Sequence, residues 1–160
     1  MLSMKYAVPQ LSSPRVNLTN LPTALGAFVN FTNCAVANSE RRVNVTSVRI
    51  NPYPLGLGDA GATFTITATT AFNIAATDMV LNTFSYPLVL NTVRKTYSLC
   101  NVTACPVTPG PVVFVLPIFI PRSGYRLTKQ SEYFAAVRMP GTGINDIMCV
   151  TFRYPILGWT

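Results

Sequence analysis

The sequence predicts an all-β protein, a two-sheet antiparallel β-sandwich preceded by an extended N-terminal arm. Three observations carry that prediction. Apolar and polar residues alternate with a period of two in several short runs, turn signals separate those runs, and no window shows a helical period. At 160 residues the chain fits one domain, long enough to bury a core without help from a metal.

Residues 1–33 contain Pro9, Pro14 and Pro22 without a sustained period and read as the arm, which ends at Cys34. Residues 34–160 read as the sandwich. In Val43–Ile50 the apolar phase switches between Val45 and Val48, which predicts a β-bulge. Ala62–Ala68 follows with apolar residues at even positions and threonine at odd ones, so Phe64 and Ile66 share a buried face. Residues 79–86 and 88–99 read as two strands interrupted at Pro87. The run from Val112 to Ile120 is almost continuously apolar but contains Pro117, which confines it to a sheet edge or bends it.

The next run places Tyr133, Ala135, Val137 and Met139 on one face and Glu132, Phe134, Ala136 and Arg138 on the other. The last strand repeats this, with Met148, Val150, Phe152 and Tyr154 opposite Ile147, Cys149, Thr151 and Arg153. If the first set of each pair faces the core, Cys149 points outward, and a bond to Cys34 straps the arm across the outside of a sheet. Turns are marked by Asn51-Pro52, Pro109-Gly110, Ser123-Gly124 and Pro140-Gly141.

Composition narrows the function classes. Apolar residues make up 49% and charged residues 11%, against about 25% charged in an ordinary soluble domain. The surface is therefore covered by Thr, Asn and Ser, by sugar, or by another molecule. The net charge of +7 is scattered over Arg41-Arg42, Arg94-Lys95 and the trio Arg122, Arg126 and Lys129. A nucleic-acid binder needs a denser basic stripe with interleaved aromatics, so no nucleic-acid partner is expected. No run approaches the roughly 20 apolar residues of a transmembrane segment.

Motifs for chemistry are absent or out of context. Gly56-Leu57-Gly58-Asp59-Ala60-Gly61 matches the dinucleotide-binding glycine pattern, yet a strand follows it where a helix N-terminus must receive the pyrophosphate. With no histidine, Ser-His-Asp and Cys-His arrangements are impossible. The carboxylates Glu40, Asp59, Asp78, Glu132 and Asp146 are dispersed, so no catalytic residue is assigned and the chain is not read as an enzyme.

Four cysteines lack the close pairs of structural zinc sites and suit two disulfides instead, so no metal is expected. A Cys100–Cys105 bridge closes a short hairpin loop. A Cys34–Cys149 bridge encloses most of the chain and stabilises by roughly 4 to 5 kcal/mol on the chain-entropy argument. Other pairings remain open. Disulfides imply the secretory pathway, outside the cell or in an organelle lumen. Four sequons, at Asn17, Asn30, Asn44 and Asn101, point the same way as glycosylation candidates. Against this, Met1–Pro9 shows no apolar run of a signal peptide, so no targeting signal is seen.

Cys34, Ile50-Asn51-Pro52-Tyr53-Pro54, Gly58 leading into Ala62–Ile66, Tyr97-Ser98-Leu99-Cys100, Cys105-Pro106-Val107, Gly110, Pro117 with Pro121, Gly124-Tyr125 and Cys149-Val150-Thr151-Phe152 follow one another in a familiar order. Over about residues 34 to 154 the chain resembles the ML lipid-recognition domain family, which includes the Niemann-Pick type C cholesterol carrier and plant and fungal phosphatidylglycerol/phosphatidylinositol transfer proteins. The resemblance implies an immunoglobulin-like sandwich whose sheets splay around a lipid. It also implies disulfides Cys34–Cys149 and Cys100–Cys105 and non-catalytic lipid binding or transfer. The chain departs from many secreted members, which have a third disulfide that its four cysteines cannot form, and the arm of residues 1–33 has no counterpart in the family.

A lipid site needs inward apolar residues, because each methylene removed from water gains roughly 0.8 kcal/mol. The cavity candidates are Phe64, Ile66, Val80, Phe84, Val113, Val115, Tyr133, Val137, Val150 and Phe152. Arg122, Arg126 and Lys129 are the candidates for an anionic headgroup. The partner is a phospholipid or sterol, an acyl chain or sterol ring lying between the sheets, and no cofactor beyond such a lipid is expected. The alternative role is a structural or accessory subunit of a larger assembly, with the arm and the low-charge surface making protein contacts.

Overall fold

A computed structural model describes residues 26–34, 43–56, 58, 61–86, 93–118, 130–141 and 146–157. Its strands are β1 (Ala27–Val29), β2 (Phe31–Asn33), β3 (Val43–Asn51), β4 (Leu55–Gly56), β5 (Thr63–Thr70), β6 (Asp78–Tyr86), β7 (Val93–Ser98), β8 (Gly110–Pro117), β9 (Gln130–Pro140) and β10 (Asp146–Leu157). One helical turn, α1 (Leu99–Val102), follows β7. The four-stranded sheet has the order β1-β3-β5-β8. The six-stranded sheet runs β2-β10-β9-β6-β7, with β4 parallel to β10.

The strands form where alternation demands them. In β5 the even residues Phe64, Ile66 and Ala68 are fully buried, while Thr63, Thr65 and Thr67 lie on the outer pleat. Strands β9 and β10 repeat this with Ala135, Val137, Met139, Val150 and Phe152 turned into the sandwich. The bulge expected in β3 sits between Val45 and Ser47, where the pairing with β5 shifts register.

Two places where the chain changes sheet close the sides of the sandwich. On one side it leaves the four-stranded sheet after β1 and enters the six-stranded sheet as β2, with Asn30 between them. Residues 26–33 are therefore not the end of an extended arm. Their alternating apolar residues Ala27, Val29 and Phe31 pack inward and recruit them to both sheets, while residues 1–25 lie outside the described set. Cys34 then bonds Cys149, and its N–H donates to the Cys149 carbonyl at 3.0 Å.

On the other side the chain crosses from β7 to β8, so the Cys100–Cys105 segment is a crossover between sheets and not a hairpin. Leu99 and Val102 are buried on one face of the short turn, which leaves Cys100 and Cys105 to staple it from outside. The Tyr97 hydroxyl of β7 donates to the Pro117 carbonyl of β8 at 2.6 Å and ties the two edge strands. Burial pushes the Tyr97 hydroxyl up to about 12.

Strand β8 is an edge strand, as its prolines require. The Ile118 N–H donates back to Ala62, while the Pro117 carbonyl is turned outward to Tyr97 and lies 3.4 Å from the Lys95 ammonium. Pro111, Val113, Val115 and Pro117 thus share the outward backbone direction, and a proline at each end limits pairing with a foreign strand.

Candidate functional site

The layer between the sheets is built around aromatic contacts. Phe64 of β5 meets Phe152 of β10 edge to face, with centroids 5.0 Å apart and planes at 89°, and meets Tyr154 at 5.2 Å. Tyr133 of β9 stacks on Tyr154 at 6.0 Å. Such geometry satisfies the quadrupoles of the rings and adds about 0.5–1.5 kcal/mol per pair beyond area burial. Ile66, Val137 and Val150 are fully buried in the same layer. Phe64, Ile66, Tyr133, Val137, Val150 and Phe152 are therefore brought together.

The four other cavity candidates are placed differently or not described. Val113 and Val115 are 44% and 41% exposed, on the outer face of the four-stranded sheet. Their register partners are Thr67 and Thr65, and directly opposed residues of neighbouring strands share a face. The inward residues of β8 are Val112, Phe114 and Leu116. Val80 is itself buried, but it stands in the register row of Arg138 and Thr96, on the opposite pleat from its neighbours Met79 and Leu81, which join the core. Phe84 pairs in register with Phe134, and its side chain lies outside the described residues.

Arg122, Arg126, Lys129 and Asn17 also lie outside the described residues. Asn30, Asn44 and Asn101 are exposed. Among the described residues no group of three or more His, Cys, Asp or Glu side chains could hold a metal, and no helix is long and apolar enough to cross a membrane.

A cleft of about 580 Å³ opens at the β1–β2 side. It is lined by Phe28, Phe31, Tyr53, Phe134, Arg153 and residues adjoining them, and Phe152 joins it to the aromatic layer. Sequence reasoning missed this cleft. Its residues come from four separate stretches, and the registers of β2 and β9 along β10 set Phe31, Thr32 and Phe134 beside Thr151, Phe152 and Arg153.

No family model matches the chain. It is 40% identical over 123 residues to the MD-2-related lipid-recognition protein ROSY1 of Arabidopsis thaliana, spanning 74% of this chain and 72% of that protein. The chain belongs to the MD-2-related lipid-recognition (ML) family. The crystal structure of a Niemann-Pick type C2 protein from the Japanese carpenter ant shares the fold, with a TM-score of 0.51 at 14% identity, over 79% of this chain and 98% of that one. The ML sandwich here carries the two disulfides, Cys34–Cys149 and Cys100–Cys105, and both fit an oxidising compartment. In this ML chain the six candidates in the inter-sheet layer come from β5, β9 and β10, and inward residues of β3, β6 and β8 complete the layer.

Proposed function

We propose that the chain binds lipid without catalysis, and carries or presents it with an acyl chain or sterol held between the two sheets. The observation that supports this most is the inter-sheet layer itself, where Phe64, Ile66, Tyr133, Val137, Val150 and Phe152 converge in an ML-family sandwich. An apolar ligand needs only apolar walls there, and its affinity rises by about 0.8 kcal/mol per methylene buried. The side-chain contacts between sheets are non-directional apart from the ring edges, so they can be exchanged for contacts with a chain or ring system. The sheets stay joined at both sides, by the β1–β2 crossover and by the stapled β7–β8 crossover, while a ligand parts the layer between them.

The compartment this reading requires is the secretory pathway, with the protein outside the cell or in a lumen. Asn30, Asn44 and Asn101 are accessible there to glycosylation. Lipid mass spectrometry on protein isolated under native conditions tests the proposal. Stoichiometric lipid that exchanges with added vesicles is the expected result. Absence of lipid together with purification in a fixed complex would instead establish the structural-subunit role.

A further inference from the structure

The crossover from β7 to β8 caps one end of the sandwich. Ser98, the last residue of β7, pairs with Asp78 at the start of β6, and Gly110, the first of β8, pairs with Thr70 at the end of β5. Between them Leu99, Val102 and Val107 are buried, in one core cluster with Phe64 and Val150 of the inter-sheet layer. The crossover is therefore the floor of that layer.

Backbone hydrogen bonds anchor both ends of the floor. The Leu99 N–H donates to the Thr77 carbonyl at 2.9 Å, and the Ile74 N–H donates to the Val107 carbonyl at 3.0 Å. The stretch between these anchors is held more lightly. Cys100, Asn101, Ala104, Cys105 and Pro106 are exposed, Val102 is its buried side chain, and the Thr103 N–H donates to the Leu99 carbonyl at 3.1 Å. The Cys100–Cys105 bond adds a covalent constraint to this stretch. Without that bond, the conformational entropy of residues 100–106 opposes one valine and one hydrogen bond.

The two disulfides also differ in access. Cys100 and Cys105 are both exposed, whereas Cys149 is 2% exposed and Cys34 is half-buried. Thiol–disulfide exchange begins when a thiolate reaches one sulfur of the bond, so access selects which disulfide reacts in the folded chain, and exposed disulfides are the labile ones.

We propose that Cys100–Cys105 is a redox latch on this end of the sandwich, opened by a dithiol reductant while Cys34–Cys149 stays closed. One thiolate of the dithiol attacks one sulfur and forms a mixed disulfide, and the other cysteine leaves as a thiolate. The second thiol of the reductant then displaces the remaining cysteine and closes its own disulfide. Two electrons and two protons thus pass from the dithiol to Cys100 and Cys105, which become thiols. Residues 100–106 detach around Val102, the floor of the layer opens, and lipid held there exchanges faster. That last consequence rests on the lipid-binding reading; the reduction and the opening do not.

Treatment of the full chain with dithiothreitol tests the proposal, followed by alkylation with mass mapping and by amide hydrogen exchange. Cys100 and Cys105 are alkylated about tenfold faster than Cys34 and Cys149, or more. Reduction raises exchange at Thr103 about tenfold, while Leu99 and Ile74, whose N–H groups make the anchors, change by less than about twofold. Cys100→Ser/Cys105→Ser, which cannot form the latch, shows the fast exchange at Thr103 without reductant. Transfer of a pyrene-labelled phosphatidylcholine from the protein to vesicles speeds up severalfold in the reduced chain and in this variant. Reduction of both disulfides at one rate overturns the proposal, as does unchanged exchange at Thr103 after reduction. Bound probe that leaves at an unchanged rate overturns it too. A chain that binds neither the probe nor native lipid defeats the lipid reading instead, and alkylation and hydrogen exchange then decide the latch.

Discussion

Removing the two disulfides one at a time should produce unequal losses of stability. Cys34 and Cys149 are 115 residues apart in sequence, and Cys100 and Cys105 only 5. On the chain-entropy argument, constraining the unfolded chain contributes about 4.8 kcal/mol for the long loop and about 2 kcal/mol for the short one at 25 °C. A domain of this size shifts its melting temperature by about 2–4 °C per kcal/mol. The paired variant Cys34→Ala/Cys149→Ala should then melt about 10–19 °C lower, and Cys100→Ala/Cys105→Ala about 4–8 °C lower. The native structure reinforces the inequality, because the long bridge also fastens β2 to β10 and Cys149 is buried. Urea unfolding of both variants, with reversibility checked, measures the difference. Equal losses, or a larger loss from the short loop, would refute the reasoning.

The remaining predictions concern packing, titration and modification. Phe114→Ala should cost about 3–5 kcal/mol, while Val115→Ala, one residue along β8 and on the outer face, should cost under about 1 kcal/mol; similar urea midpoints would contradict the register of β8. Tyr97→Phe removes the hydroxyl that donates to Pro117, and about 1 kcal/mol at neutral pH with it. Since burial raises the Tyr97 pKa from 10.0 to about 12, the unfolded chain loses this proton first. Its contribution is therefore complete below pH 10 and lost as pH rises through 12. Unfolding midpoints across that interval should fall less steeply in Tyr97→Phe, and identical slopes would exclude Tyr97 as a source. Expression in a secretory host should add glycan at Asn30, Asn44 and Asn101, each lost on substitution by Gln; intact-mass spectra without glycan would exclude these sites.

Strands with clean alternation were legible in the sequence. The threonine ladder of β5 and the paired faces of β9 and β10 fix which residues point inward, and the bulge in β3 shows as a phase slip between Val45 and Val48. Continuous apolar runs were not legible in the same way. In Val112–Ile120 every residue but Pro117 is apolar, so the period of two vanishes and the inward set can be read only from the β5 partner strand. Met79-Val80-Leu81 hides its phase for the same reason.

Crossovers were harder still. A short cysteine loop looks alike whether it joins neighbours in one sheet or two edge strands of different sheets, and only the non-local pairing of β7 with β6 and β8 with β5 separates the cases. The cleft at the β1–β2 side had no sequence signal, because its walls come from four separate stretches of the chain.

Intermolecular nuclear Overhauser effects from a carbon-13-labelled acyl chain or sterol locate the bound lipid. Cross-peaks to the methyls of Ile66, Val137 and Val150 and to the rings of Phe64 and Phe152 are expected, with none to Val113 or Val115. Cross-peaks only to outward residues, with the Phe64–Phe152 contact intact, would contradict the proposed placement between the sheets.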